Sequence, residues 1–282
     1  MKWNGNMNVR RTVFFVSDRT GITAETLGQS LLTQFDHIEF DLITLPFIDT
    51  HEKASNAVVR INSTGQEKGI RPIVFSTLID PEIREILMTS NAAFFDFFET
   101  FISPLESELS MQSSHVVGRY HSQASDTAYQ IRIDAVNYAL QNDDGMSTKD
   151  YDKADVILVG VSRSGKTPTC LYLGLQFGIH GANYPLTEEN LLSRYSKMPD
   201  ALENYRKKLY GLSINPDRLQ KIRAERRPDS RYASLKQCQI EVFRAESLFY
   251  SENIPFLNTT MISVEEIAAT IMHEMKLVRR VH

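Results

Sequence analysis

The chain has 282 residues, of which 42% are hydrophobic and 23% charged, with a net charge of −4 and a pI near 6.0. This is the composition of a globular protein with one large or two modest domains. The lack of basic excess argues against a general nucleic-acid binder. No run approaches the ~18–20 apolar residues of a membrane helix, and the polar start lacks the apolar core of a signal peptide. A cytoplasmic protein is expected. The two cysteines, Cys170 and Cys238, make neither a disulfide framework nor a metal-ligand set.

The first third alternates short apolar runs with helical patterns. Residues 12–17 read as a buried strand, and 24–35 as a helix with Leu27, Leu31 and Leu32 on one face. A second strand over 40–46 stops at Pro46. A helix over 52–68 ends at Gly69, and a third strand covers 72–77. Pro81 opens a helix to Met88, and Phe94 to Phe98 read as a fourth strand. The polar stretch 111–125 reads as a linker or active-site loop. A helix over 127–141 follows. A second strand and helix series begins at Ala154, with strands at 154–160, 182–186, 209–214 and 254–260. Helices are expected over 167–177, from Asn215 and Pro216 to about Arg227, and from the capping box Ser263-Val-Glu-Glu266 onward. Strands alternating with helices imply mostly parallel sheets covered on both faces.

Gly160, Val161, Ser162, Arg163, Ser164, Gly165, Lys166 and Thr167 match the phosphate-loop pattern in full. The spacing has a chemical reason. Glycines let the backbone turn so that successive N–H groups point at a phosphate. The following helix adds its positive dipole end. Lys166 reaches the terminal phosphates, and the Thr167 hydroxyl holds Mg²⁺. The strand run before the loop and the apolar helix after it supply the right context. The plain alternative is a glycine-rich turn with a solvated lysine. Cys170, on that helix, reads as core. The expected fold class is α/β: a Rossmann-like parallel domain over 1–110, a linker and helix with an active-site loop over 111–150, and a P-loop kinase-like domain over 151–282.

Other polar groups are candidates. Asp143 and Asp144 could supply a Mg²⁺ carboxylate or a general base, against the plain reading of a solvated Asp-Gly turn. Arg226, Arg227 and Arg231, with Arg223 and Ser230, could clamp phosphate oxygens, against a solvated helix face. His121 could contact an anion, against a surface histidine. The Ser17 to Gly21 loop follows a strand at the end where α/β ligand crevices form. Capping of the next helix by Asp18 or Thr23 is the simpler reading of it.

Together these segments resemble the bifunctional regulatory proteins of phosphoenolpyruvate synthase and of pyruvate, phosphate dikinase. The resemblance runs through residues 16–25, Thr44-Leu-Pro-Phe47, Gly69-Ile-Arg-Pro72, His121, Asp143-Asp-Gly145 and the phosphate loop. It continues through Ala182-Asn-Tyr-Pro185, Gly211-Leu212, Arg226-Arg227, residues 230–234 and Ser263 to Ala268. Gly165 is similar to the synthase branch, since the dikinase branch usually has serine there. Arg19 departs from the family, which often has glycine or serine at that place.

The resemblance implies an ADP-dependent kinase that phosphorylates a target threonine beside the catalytic histidine of phosphoenolpyruvate synthase and switches it off. It also implies a reverse step in which inorganic phosphate attacks the phosphothreonine and releases pyrophosphate. The loop would then bind ADP, with Lys166 on the β-phosphoryl and Thr167 on Mg²⁺. Two other classes stay open on the sequence: a small-molecule P-loop kinase using ATP, and a non-enzymatic nucleotide sensor. The N-terminal region, in excess for a metabolite kinase, reads as a docking or regulatory domain. The oligomeric state stays open, a homodimer included.

Overall fold

The computed structural model describes residues 9–114, 126–145, 148–192 and 198–281. The chain divides into two compact units, residues 1–123 and 124–282. Each carries one four-stranded parallel sheet. Among the described residues no helix is long and apolar enough to cross a membrane.

In the first unit the strands are β1 (Val9–Val16), β2 (Ile38–Leu45), β3 (Ile73–Ser76) and β4 (Ala93–Asp96). Their order is β2-β1-β3-β4. The helices are α1 (Ile22–Leu32), α2 (His51–Lys68), α3 (Pro81–Met88) and α4 (Phe97–Leu109). The alternation of β1 explains the layers. Phe14 and Val16 face a core with Ala54, Ile61, Ile83 and Leu87 from α2 and α3. Val13 and Phe15 face the opposite side, with Ala24 and Leu32 of α1 and with Phe97. Each fully buried Phe or Val contributes on the order of 1.5–3 kcal/mol.

Several expectations change here. The buried face of α1 is Ala24, Gly28 and Leu32, while Leu27 and Leu31 are exposed. Gly28 sets this face, because a Cβ there would come 2.4 Å from the Phe15 ring. Neither Asp18 nor Thr23 caps α1; its N-cap is Gly21 at φ 83°. The Phe94 to Phe98 run is not one strand. Asp96 ends β4 and its carboxylate accepts from the Glu99 N–H, so the last two phenylalanines start α4. By contrast, Gly69 closes α2 at φ 64° and Pro81 opens α3, as their chemistry implies.

In the second unit the strands are β5 (Val156–Gly160), β6 (Gly181–Pro185), β7 (Leu209–Ser213) and β8 (Phe256–Asn258), in the order β6-β5-β7-β8. This repeats the order of the first sheet. The helices are α5 (Asp126–Gln141), α6 (Lys166–Phe177), α7 (Glu188–Leu192), α8 (Pro216–Arg226), α9 (Leu235–Ser251) and α10 (Val264–Glu274). Val156 and Leu158 pack with Leu173, Ile267 and Ile271 on one face. Ile157 and Val159 pack with Leu219, Val242 and Phe249 on the other. The backbones of α5 and α6 meet closely at Gly174, where a Cβ would lie 3.1 Å from Ala135. The sequence pattern does not announce α9. Its buried polar residues, Gln237 and Glu241, break the apolar rhythm that would have revealed it.

Candidate active site

β5 is buried along its whole length and lies between β6 and β7. Its carboxyl end is therefore at the point where the strand order reverses, which is where ligand crevices form in such sheets. The chain leaves β5 at Gly160. No other residue fits there, because a Cβ would sit 2.3 Å from the Leu212 carbonyl oxygen. Arg163 (φ 78°) and Gly165 (φ 93°) then take left-handed conformations, and α6 starts at Lys166. Its first N–H groups have no side-chain cap, the kind of helix start that can accept an anion.

Lys166 is 4% exposed, and its ammonium donates to the Val161 carbonyl at 3.0 Å. Burial pulls its pKa down to about 8, opposed by the negative charges of Asp144 and Asp143. Thr167 Oγ1 donates to Asp143 Oδ1 at 2.7 Å. The same carboxylate oxygen accepts from the Asn183 side-chain amide. Asp144 lines the loop cavity with Ser162, Lys166, Thr167 and Arg226; the cavity measures about 280 Å³.

Asn183 organises this arrangement. It is fully buried in β6. Its Oδ1 accepts from the Asp144 N–H at 3.0 Å, its carbonyl accepts from the Gly145 N–H, and its own N–H donates to the Asn142 carbonyl. The turn that carries both carboxylates is thereby fastened to the strand beside the loop. Asp144 sits at φ 50°, an uncommon conformation for a non-glycine residue that aspartate tolerates better than most. In the sequence Asn183 is marked only as part of a strand. The available signal was an amide inside a buried run, where a polar group needs partners.

A second tie holds the other side of the loop. Arg223 is fully buried and donates to Glu241 at 2.7 Å, to the Ser162 carbonyl at 3.2 Å and to the Tyr232 carbonyl at 3.1 Å. Its guanidinium lies 4.1 Å from the centre of the Tyr232 ring, and the Tyr232 hydroxyl meets Ser162 Oγ at 3.0 Å. Arg223 thus braces the loop from behind: its two terminal nitrogens go to Glu241 and to the Ser162 and Tyr232 carbonyls, while its buried Nε has no partner.

The remaining arginines separate. Arg226 lines the loop cavity. Arg227 ends α8 in an exposed position. Ser230 caps the short turn Arg231–Ala233, and Arg231 pairs with Glu188 at 2.5 Å in the open. Both line a neighbouring hollow. His121 lies outside the described residues.

Thr167 and Asp143 together offer the hard oxygen donors that Mg²⁺ prefers. Among the described residues no group of three or more His, Cys, Asp or Glu side chains forms a separate metal site. Cys170 is buried on α6 and donates to the Ala182 carbonyl, and burial pushes its thiol pKa well up. It is core.

The model of the family described as kinase/pyrophosphorylase matches residues 13–272. The chain belongs to this family. Similar members include proteins of Alkalilimnicola ehrlichii (59% identical, covering 97% of this chain and 98% of the relative) and Halorhodospira halophila (56%, covering 96% and 98%). Another is from Pseudomonas aeruginosa (56%, covering 97% and 99%). All three carry the name "Putative phosphoenolpyruvate synthase regulatory protein". The kinase/pyrophosphorylase match spans both units and includes the loop, the Asp143 turn and the brace.

Proposed function

We propose that this protein regulates phosphoenolpyruvate synthase by moving a phosphoryl group on and off one of its threonines. ADP is the donor. The names of the full-length relatives support the target, and the family description supports a pair of phosphotransfer activities. The observation that carries the reading is the contact of Thr167 with Asp143 beside a buried Lys166, with Asp144 free to face the same cavity.

In the forward step the target threonine oxygen attacks the β-phosphorus of ADP. The bond from that phosphorus to the α–β bridging oxygen breaks, AMP leaves, and the hydroxyl proton passes to a carboxylate. Asp144 suits that task, since Asp143 is already held by Thr167 and Asn183. Lys166 and the loop N–H groups steady the transferred phosphoryl. Mg²⁺, when bound through Thr167 and Asp143, spreads the charge on the phosphate oxygens. In the reverse step an oxygen of inorganic phosphate attacks the phosphothreonine phosphorus. The bond to the threonine oxygen breaks, pyrophosphate leaves, and the threonine recovers its proton.

The test mixes the protein with phosphoenolpyruvate synthase, Mg²⁺ and ADP. AMP and a phosphothreonine on the synthase are expected in equal amounts, with loss of synthase activity. Added phosphate then restores activity and yields pyrophosphate. Transfer only from ATP to a free metabolite, or nucleotide binding without turnover, would refute the reading.

A further inference from the structure

The connection from α5 to β5 meets one residue of β6 at both its ends. At the near end the Asn183 N–H donates to the Asn142 carbonyl at 3.1 Å, and the Asn183 carbonyl accepts from the Gly145 N–H at 3.1 Å. At the far end the Tyr151 hydroxyl donates to that same carbonyl at 3.0 Å. Tyr151 is fully buried and its ring stands edge-on to Tyr205, so this far anchor belongs to the core. The backbone of Asn183 therefore holds the segment that carries Asp143 and Asp144 whatever its side chain does.

The side chain adds something only a carboxamide can supply. The Asp144 backbone N–H can only donate, so it needs an oxygen, and Asn183 Oδ1 accepts from it at 3.0 Å. An ionised Asp143 carboxylate can only accept, so it needs an N–H, and Asn183 Nδ2 supplies one. The same nitrogen lies 3.4 Å from Thr167 Oγ1. Turned over, the amide would set oxygen against the carboxylate and nitrogen against the N–H. An aspartate there would serve the Asp144 N–H but repel Asp143. A leucine of similar shape would serve neither, and with no exposed surface at this position water does not replace the lost partners.

We propose that Asn183 is a positioning residue that makes the neighbouring carboxylates unequal: it engages Asp143 beside Thr167 and fixes the backbone of Asp144 so that the second carboxylate lines the loop cavity. The proposal rests on the functional reading above and deepens it, since it names what keeps the base apart from the carboxylate on the Mg²⁺ side. Asn183 does not itself line the loop cavity. Its side chain reaches the reaction only through the turn, by two separable routes. The hydrogen bond to the Asp144 N–H acts on the chemical step, and the one to the Asp143 carboxylate acts on Mg²⁺ demand.

The experiment measures phosphoryl transfer from ADP to phosphoenolpyruvate synthase across a Mg²⁺ series, with Asn183→Leu alone and combined with Asp143→Asn or Asp144→Asn. Alone, the leucine is expected to lower kcat about 10²-fold, the cost of a misplaced reacting group. It is expected to raise the half-maximal Mg²⁺ concentration about tenfold and to leave KM for ADP within about threefold. Residues that act as one unit do not add. In the Asp144→Asn background the further loss of kcat is therefore expected to stay below about threefold, and in the Asp143→Asn background the Mg²⁺ demand to stay within about twofold. Asn183→Ser, which keeps the backbone hydrogen bonds and cannot span both groups, serves if leucine prevents folding, with the same pattern expected. Fully additive losses in both backgrounds overturn the proposal, as does a folded Asn183 variant with wild-type kcat and Mg²⁺ demand. A wild-type protein that transfers nothing from ADP sinks the functional reading first and the proposal with it.

Discussion

Thr167 and Asp143, 24 residues apart in sequence, meet side chain to side chain at 2.7 Å, the first donating its hydroxyl proton to the second. Asp144, the next residue, is turned elsewhere, into the cavity that Lys166 lines. Neighbouring carboxylates with different contacts should fail differently. Asp143→Asn is expected to raise the Mg²⁺ concentration for half-maximal activity by about 10–100-fold, since the hydroxyl then has a neutral partner. Asp144→Asn is expected to lower kcat by about 10²–10⁴-fold, the range for loss of a general base, with little change in Mg²⁺ demand. Steady-state rates across a Mg²⁺ series separate the two. Equal behaviour of both variants would remove the division of labour.

Lys166 gives a pH dependence with two opposite signs. Burial lowers its pKa from 10.5 to about 8. Between these values the unfolded chain binds a proton that the native protein does not. Through this residue the stability of the nucleotide-free protein therefore rises with pH across that window, and below it the full cost of burying the ammonium is present. Phosphate binding runs the other way, because it needs the charged form. ADP affinity is expected to weaken from pH 7 to pH 9, and in Lys166→Arg to stay flat, since a guanidinium does not titrate there. Urea unfolding of wild type and Lys166→Met at several pH values checks the first sign. Calorimetric titration checks the second.

The brace behind the loop makes a stability prediction. Glu241→Ala leaves Arg223, which has no exposed surface, without its carboxylate. A broken buried pair costs about 3–5 kcal/mol. Tyr232→Phe removes only the hydroxyl that meets Ser162 Oγ, so about 0.5–1.5 kcal/mol is expected. Urea denaturation measures both. A Glu241→Ala protein as stable as wild type would mean that Arg223 finds other acceptors.

The turn from β5 into α6 was legible in the sequence because its backbone geometry demands particular residues at fixed spacing. Gly160 clears a carbonyl and Gly165 takes a left-handed turn. Helix ends set by local chemistry, such as Pro81, Gly69 and the Ser263 capping box, were legible for the same reason. The partners brought in from a distance were not. Asn183 and Glu241 are polar residues inside buried elements, and nothing local says what they touch. Sequence proximity groups arginines that the fold then points in different directions: Arg223 inward and Arg226 to the cavity, with Arg227 left exposed. Gly28 hid the buried face of α1, since a glycine adds nothing to an apolar count yet allows the closest packing.

Both sheets have the same strand order, and in both the helix after the first strand starts at a glycine in the left-handed region, Gly21 and Gly165. The copies differ at the next residue. Lys166 follows one glycine; Ile22, 64% exposed, follows the other. An anion arriving at the first turn would meet a hydrocarbon knob where the second offers an ammonium. The turn is thus duplicated, while the lysine that opens the helix belongs to the second copy and the first carries its cation two residues earlier, at Arg19.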